Sequence, residues 1–194
     1  MIAFVRGQFV VKTPARVVVD VNGVGYDLQV SLNTYSAIVN KDNGLLFTHL
    51  HITENAHTLF GFAELAEKEM FLQLTSVSGV GAATARMMLS GMRPDEIAKA
   101  IVQGNTRQLE SIKGIGKKSA ERLIVELKDK LARHPLEASA GTLNAAAPDT
   151  DAVNALIALG IGRAMAEAAV RKTIAASGAG GSLEDIIKQA LKNL

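Results

Sequence analysis

Leu74-Thr75-Ser76-Val77-Ser78-Gly79-Val80-Gly81-Ala82-Ala83-Thr84-Ala85 and Leu109-Glu110-Ser111-Ile112-Lys113-Gly114-Ile115-Gly116-Lys117-Lys118-Ser119-Ala120 are two copies of one pattern, offset by 35 residues. Each reads as a helix, a turn of the form apolar-x-Gly-apolar-Gly, and a second helix. Glycine lets the backbone turn sharply and approach a ligand with no Cβ in the way. Unpaired N–H groups at the turn and at the start of the next helix then make an anion site. Gln73/Gln108, Leu74/Leu109, Ser76/Ser111, Gly79/Gly114, Gly81/Gly116 and Ala85/Ala120 are identical between the copies, and Val77/Ile112 and Val80/Ile115 keep the apolar frame. Shared residues on both sides of the glycines favour paired helix-hairpin-helix elements over two unrelated structural turns. The expected chemistry is a two-point grip on nucleic-acid phosphates by Gly79, Val80, Gly81, Gly114, Ile115 and Gly116.

Charge supports this reading once it is divided along the chain. The net charge is only +2, yet residues 105–133 carry eight basic against four acidic side chains. The excess falls on the second turn and just after it, where Lys117 and Lys118 stand opposite Ala82 and Ala83 of the first copy. The second hairpin is therefore expected to supply more of the charge-based affinity, and the first to work through its backbone. Arg122 either extends the basic strip or pairs with Glu126 at helical spacing. Phosphate contacts position a duplex without reading bases, so recognition of shape rather than sequence is expected.

Other constellations are weaker. Gly116-Lys117-Lys118 fails as a nucleotide-binding loop, because lysine stands where Ser or Thr should hold magnesium and Ser111 stands where the first glycine should be. His49 and His51 share a strand face, but with no evident third or fourth ligand they read as ordinary sheet histidines rather than a metal pair. Thr53-Glu54-Asn55-Ala56 reads as a polar hairpin tip whose carboxylate would repel a DNA backbone. No catalytic set, metal site or cofactor is expected. Cysteine is absent, which removes disulfides and cysteine-based metal centres and fits a reducing compartment. Aromatic residues are few, so base stacking is not expected as the main contact. Without a leader-like or membrane-spanning apolar run, a cytoplasmic protein is the default expectation.

The elements that must hold these residues fall into four stretches. Residues 1–63 alternate apolar and polar residues with a turn at Asn22-Gly23 and a short helix near 32–39, which suggests an all-β domain of about five strands, an OB-fold barrel being the leading candidate. Residues 64–133 become helical: Met70, Phe71, Leu74 and Val77 share one face, as do Ala120, Leu123, Ile124, Leu127 and Leu131. Pro94 opens a helix with Ile97, Ala98 and Ile101 inward, and Met87, Met88 and Leu89 read as core filling. Residues 134–148, rich in alanine, read as a flexible tether. Residues 149–194 regain a helical period and suggest a very small three-helix domain. The expected fold class is therefore a multidomain α+β protein. A small domain on a tether suits recruitment of a partner.

Asn22-Gly23-Val24-Gly25-Tyr26, Leu59-Phe60-Gly61-Phe62, Leu89-Ser90-Gly91-Met92 and the run Gly114-Ile115-Gly116-Lys117-Lys118-Ser119-Ala120-Glu121-Arg122-Leu123-Ile124-Val125-Glu126-Leu127 carry a resemblance. Across essentially the whole chain, the sequence resembles the RuvA family of Holliday-junction-binding proteins. The resemblance implies a non-catalytic, fourfold-symmetric tetramer that holds a four-way junction open and planar for branch migration in recombination and repair. It implies two protein partners, the RuvB ATPase motor and the RuvC resolvase, and a UBA-like tail that docks the motor through Leu156, Leu159, Ile161 and Leu191. These four also suit the core of a tiny domain. The family's acidic pin at the junction centre matches Glu54 and Asn55, so one of its two charges is missing here. Relatives often place a lysine after the first hairpin, where this chain has Ala82-Ala83.

Two other readings remain open. Gly114-Ile115-Gly116-Lys117-Lys118-Ser119-Ala120 also resembles DNA glycosylase/lyases of the endonuclease III type, in which the lysine matching Lys118 forms a Schiff base. Those enzymes need an aspartate further on within a continuing helical domain, and many carry a cysteine cluster. Here the first aspartate after the hairpin is Asp129, on an expected surface helix, and cysteine is absent. An adaptor whose hairpins contact protein would show no preference for junctions.

Overall fold

The computed structural model describes residues 1–133, 148–177 and 182–193. They belong to two compact units, one within Met1–Ser139 and one within Ala140–Leu194. The tether expected over 134–148 lies outside the described residues, apart from Pro148, which opens a helix.

The first unit begins with a closed barrel. Strands β1 (Phe4–Thr13), β2 (Arg16–Val21), β3 (Val24–Val30), β4 (Asn43–Ile52) and β5 (His57–Phe62) pair in the order β1-β2-β3-β5-β4, with β1 and β4 closing the ring. Only β3 and β5 run parallel. This is the five-stranded, OB-like topology, with helix α1 (Leu32–Ile38) between β3 and β4. Asn22 and Gly23 both have positive φ, the conformation that a two-residue hairpin turn requires, and the Gly23 N–H donates to Asp20 Oδ1 at 2.7 Å. Inward residues alternate along each strand: Val5 and Phe9, Val17 and Val19, Leu28 and Val30, Leu46, and Leu59 fill the interior. A Cβ at Gly7 would lie 1.9 Å from the Asp20 carbonyl oxygen, so closure at β1–β2 depends on glycine there.

Helices α2 (Leu65–Thr75), α3 (Ala82–Gly91), α4 (Pro94–Val102), α5 (Thr106–Glu110) and α6 (Lys117–Arg133) complete this unit. Met70, Phe71, Leu74, Met88, Leu89, Ile97, Ile101, Leu109, Leu123 and Leu127 form their common core, which also takes in Phe60 and Phe62 from β5. Met87 departs from its expected place in that core and is exposed, because it lies on the face of α3 opposite Met88 and Leu89.

A buried carboxylate fastens barrel to helices. Glu67 on α2 accepts from the hydroxyls of Ser31 and Thr34 at the start of α1, the latter at 2.6 Å. Each hydroxyl also accepts a backbone N–H: Thr34 donates to Ser31 Oγ at 3.0 Å and Ala63 to Thr34 Oγ1 at 2.9 Å. Asn33 adds bonds from its side-chain amide to the carbonyls of Leu89 and Met92 at 2.7 and 3.0 Å.

The second unit packs α7 (Pro148–Ala158), α8 (Arg163–Ser177) and α9 (Leu183–Lys192) around Ala152, Leu156, Ala166, Ala169, Val170, Ile186 and Ala190. Gly160, at φ +91°, ends α7 while Ile161 N–H bonds Leu156 O and Gly160 N–H bonds Ile157 O, the paired bonds of a Schellman stop. Among the described residues no helix is long and apolar enough to cross a membrane.

Candidate nucleic-acid interface

The two glycine turns share a frame of matching hydrogen bonds. Ser76 N–H bonds Leu72 O at 3.1 Å, and Ser111 N–H bonds Arg107 O at 3.2 Å. Val80 N–H closes on Val77 O at 3.0 Å, and Ile115 N–H on Ile112 O at 3.0 Å. Ser76 Oγ and Ser111 Oγ donate to the carbonyls of Gln73 and Gln108, both at 2.7 Å. Gly79 and Gly114 adopt φ of +89° and +93°, a region that costs other L-residues about 1–2 kcal/mol. Gly81 and Gly116 then open α3 and α6, where Ala85 and Ala120 donate back to their carbonyls at 2.9 and 3.0 Å.

Inside this frame the six turn residues divide their work. Val80 and Ile115 are buried, as are Val77 and Ile112, and their N–H groups are used within the turn. They anchor the turns rather than face a ligand. Gly79, Gly81, Gly114 and Gly116 are exposed, and among the described residues their N–H groups have no hydrogen-bond partner. Each turn thus presents free donors beside the positive end of a following helix, an arrangement suited to an oxyanion.

Lys117 and Lys118 occupy the first turn of α6, exposed, and Lys117 stands 4.0 Å from Glu121. An exposed pair at that distance is weak, so the lysine can exchange Glu121 for a phosphate. Lys113, which sequence reasoning missed, is exposed in the same turn, at the position matched by Ser78 in the first copy. Its signal was available in the alignment of the two copies, as a basic residue just before the glycine.

Arg122 does not pair with Glu126 among the described residues. Its Nη1 crosses to the other copy and donates to the Ser78 carbonyl at 3.0 Å. Met87 makes the reciprocal approach, its sulfur 3.8 Å from where a Cβ on Gly114 would stand. The two hairpins therefore lie side by side, each covered by a side chain from the other.

Glu54 and Asn55 are exposed on the β4–β5 tip, which is closed by Thr53 N–H on Ala56 O at 2.9 Å. His49 and His51 share a face of β4 with ring centroids 6.4 Å apart, and His49 lies against Phe71. Burial first, then His51 and Lys68, lowers the His49 pKa. Among the described residues no three His, Cys, Asp or Glu side chains gather as a metal site. In the second unit Leu156 is fully buried, Ile161 is partly buried against the core, and Leu159 and Leu191 are exposed. Of the four tail residues, only Leu159 and Leu191 thus offer an open apolar surface.

A five-stranded barrel fastened to tandem helix-hairpin-helix turns, with a separate three-helix unit, defines a narrow class of multidomain protein. Family models described as RuvA N terminal domain, SAM-like Helix-hairpin-helix tandem, and RuvA, C-terminal domain match residues 1–61, 71–129 and 148–194. The Holliday junction branch migration complex subunit RuvA of Cytophaga hutchinsonii is 44% identical over 99% of both chains. Its counterpart in Flavobacterium psychrophilum is 47% identical over the full length of both, and that of Geobacter metallireducens 43% identical over 100% of this chain and 99% of its own. The chain belongs to the RuvA family.

Proposed function

We propose that this chain binds four-way DNA junctions by shape, as a fourfold-symmetric tetramer, and serves as the non-catalytic DNA-holding subunit of a cytoplasmic branch migration complex. The observation that carries the reading is the duplicated turn, with two exposed sets of free N–H donors at matched positions. Gly79 and Gly81 grip one backbone phosphate region, and Gly114 and Gly116, with Lys117 and Lys118, grip another. Cyclic symmetry presents the same pair to each arm. Glu54, once per subunit, repels strands at the centre; with Asn55 uncharged, each subunit places a single carboxylate there. The tail unit recruits the RuvB motor through Leu159 and Leu191, with Leu156 and Ile161 shaping the surface from beneath, and RuvC acts on the same junction.

The lyase alternative loses its geometry. Lys118 and Asp129 lie on one helix, eleven residues apart, which separates them by roughly 16 Å along the axis. That separation speaks against their serving one reacting carbon within a chain.

Junction affinity measured across a salt series tests the charge assignment. Replacing Lys117 and Lys118 together by Ala should weaken binding and reduce the slope of log affinity against log salt by about 0.9 for each phosphate that a lysine had neutralised. An unchanged slope would remove both lysines from the interface.

A further inference from the structure

We infer that Arg122, although carried by the second hairpin's helix, is a positioning residue of the first hairpin: it holds the Ser78–Gly79 peptide so that the Gly79 N–H faces the phosphate. The inference rests on the DNA-binding reading above and assigns Arg122 a task different from direct phosphate contact.

Three observations meet at this point. Arg122 Nη1 donates to the Ser78 carbonyl at 3.0 Å, across 44 residues of sequence. The peptide that follows that carbonyl is trans and carries the Gly79 N–H on its opposite side, so fixing the carbonyl toward Arg122 turns the N–H away from it. That N–H has no partner among the described residues and is exposed. A cationic donor on the carbonyl also polarises the amide and strengthens its N–H as a donor.

The repeat shows why this matters for one turn and not the other. Arg122 and Met87 are equivalent positions, 35 residues apart, and each lies over the other copy's glycine. Met87 brings a thioether to Gly114, which cannot donate a hydrogen bond to the Lys113 carbonyl. The second turn has Lys113, Lys117 and Lys118 in its own sequence, whereas the first has Ser78, Ala82 and Ala83. The first turn therefore borrows a cation from the second hairpin's helix. One guanidinium fixes the orientation of the first grip and, by tying α6 to the first turn, its spacing from the second.

The test compares Arg122→Met, which copies the Met87 arrangement, and Arg122→Lys with wild type in the full chain. Amide signals of Gly79 and Gly114 are followed by NMR in the free protein, and affinity for a synthetic four-way junction is measured over a salt series. Arg122→Met should shift the Gly79 amide resonance while leaving that of Gly114 unchanged. It should weaken junction binding about tenfold, the scale of one charge-assisted hydrogen bond, with the salt slope unchanged. Arg122→Lys, which retains a cationic donor, should recover part of the affinity. A slope reduced by about 0.9 per Arg122 removed, with the Gly79 amide unmoved, would make Arg122 a direct phosphate ligand and overturn the proposal. Wild-type affinity in Arg122→Met would overturn it as well. If wild type shows no preference for the junction, the DNA reading itself fails, and the Gly79 amide in the free variant still decides whether the clamp exists.

Discussion

Gly79 and Gly114 are the residues on which the proposed interface turns, because each combines a positive φ with a free, exposed N–H. Alanine at either position would meet no close atom, the nearest being Arg122 and Met87 side chains at 3.8 Å. Its cost is therefore conformational, and each substitution should lower unfolding free energy by about 1–2 kcal/mol in chemical denaturation. Relaxation of the turn should also weaken junction binding, more at Gly79, where no lysine in the turn compensates. Stability loss with full affinity would show that the turn's shape is not what holds DNA. The glycines, Lys117 and Lys118 stood out in the sequence because their spacing is local, whereas Lys113, beside them, was passed over. Arg122 was not, since its partner Ser78 lies in the other copy and no spacing rule joins them. Met87 was misplaced for a related reason: apolar character alone does not say which side of α3 faces the core.

At the scale of elements, α1 and α2 are held together by a carboxylate that the sequence did not mark. Burial raises the Glu67 pKa above its ordinary value of 4.5, while the bonds from Ser31 and Thr34 act in the lowering direction. The folded state then binds this proton more tightly than the unfolded chain. Its contribution to stability is complete below about pH 4.5 and is lost as pH rises through the raised folded value. The stability of wild type relative to Glu67→Gln should therefore decline as pH rises through that range, and a difference that is flat or rises would contradict the assignment. Glu67→Ala strands two buried hydroxyls and should cost about 1–3 kcal/mol. The strands, the Asn22-Gly23 turn and α1 were legible from alternation and turn chemistry. The parallel β3–β5 pairing was not, because it joins segments separated by α1 and β4. In the tail unit Leu156→Ala should destabilise by about 2–5 kcal/mol by opening a cavity in a small core. Leu159→Asp and Leu191→Asp should leave helix content intact by circular dichroism and, under the proposed docking of a RuvB motor on this unit, weaken its capture; undiminished capture would contradict that docking proposal.

For the molecule as a whole, the proposal is that symmetry converts a phosphate grip with no sequence preference into a gauge of shape. One subunit has two grips and could hold any duplex arm; only an assembly of four meets four arms at once. Preference for the junction then comes from simultaneous engagement, as in any multivalent system, and not from contacts unique to the crossover. The most direct measurement is a titration of the full chain against a four-way junction and a linear duplex of equal total length and charge, at several salt concentrations. The expected result is tighter junction binding at every salt, a stoichiometry of four chains or a multiple of four, and a steeper salt slope for the junction. Equal affinity for the two DNAs at matched charge would contradict it.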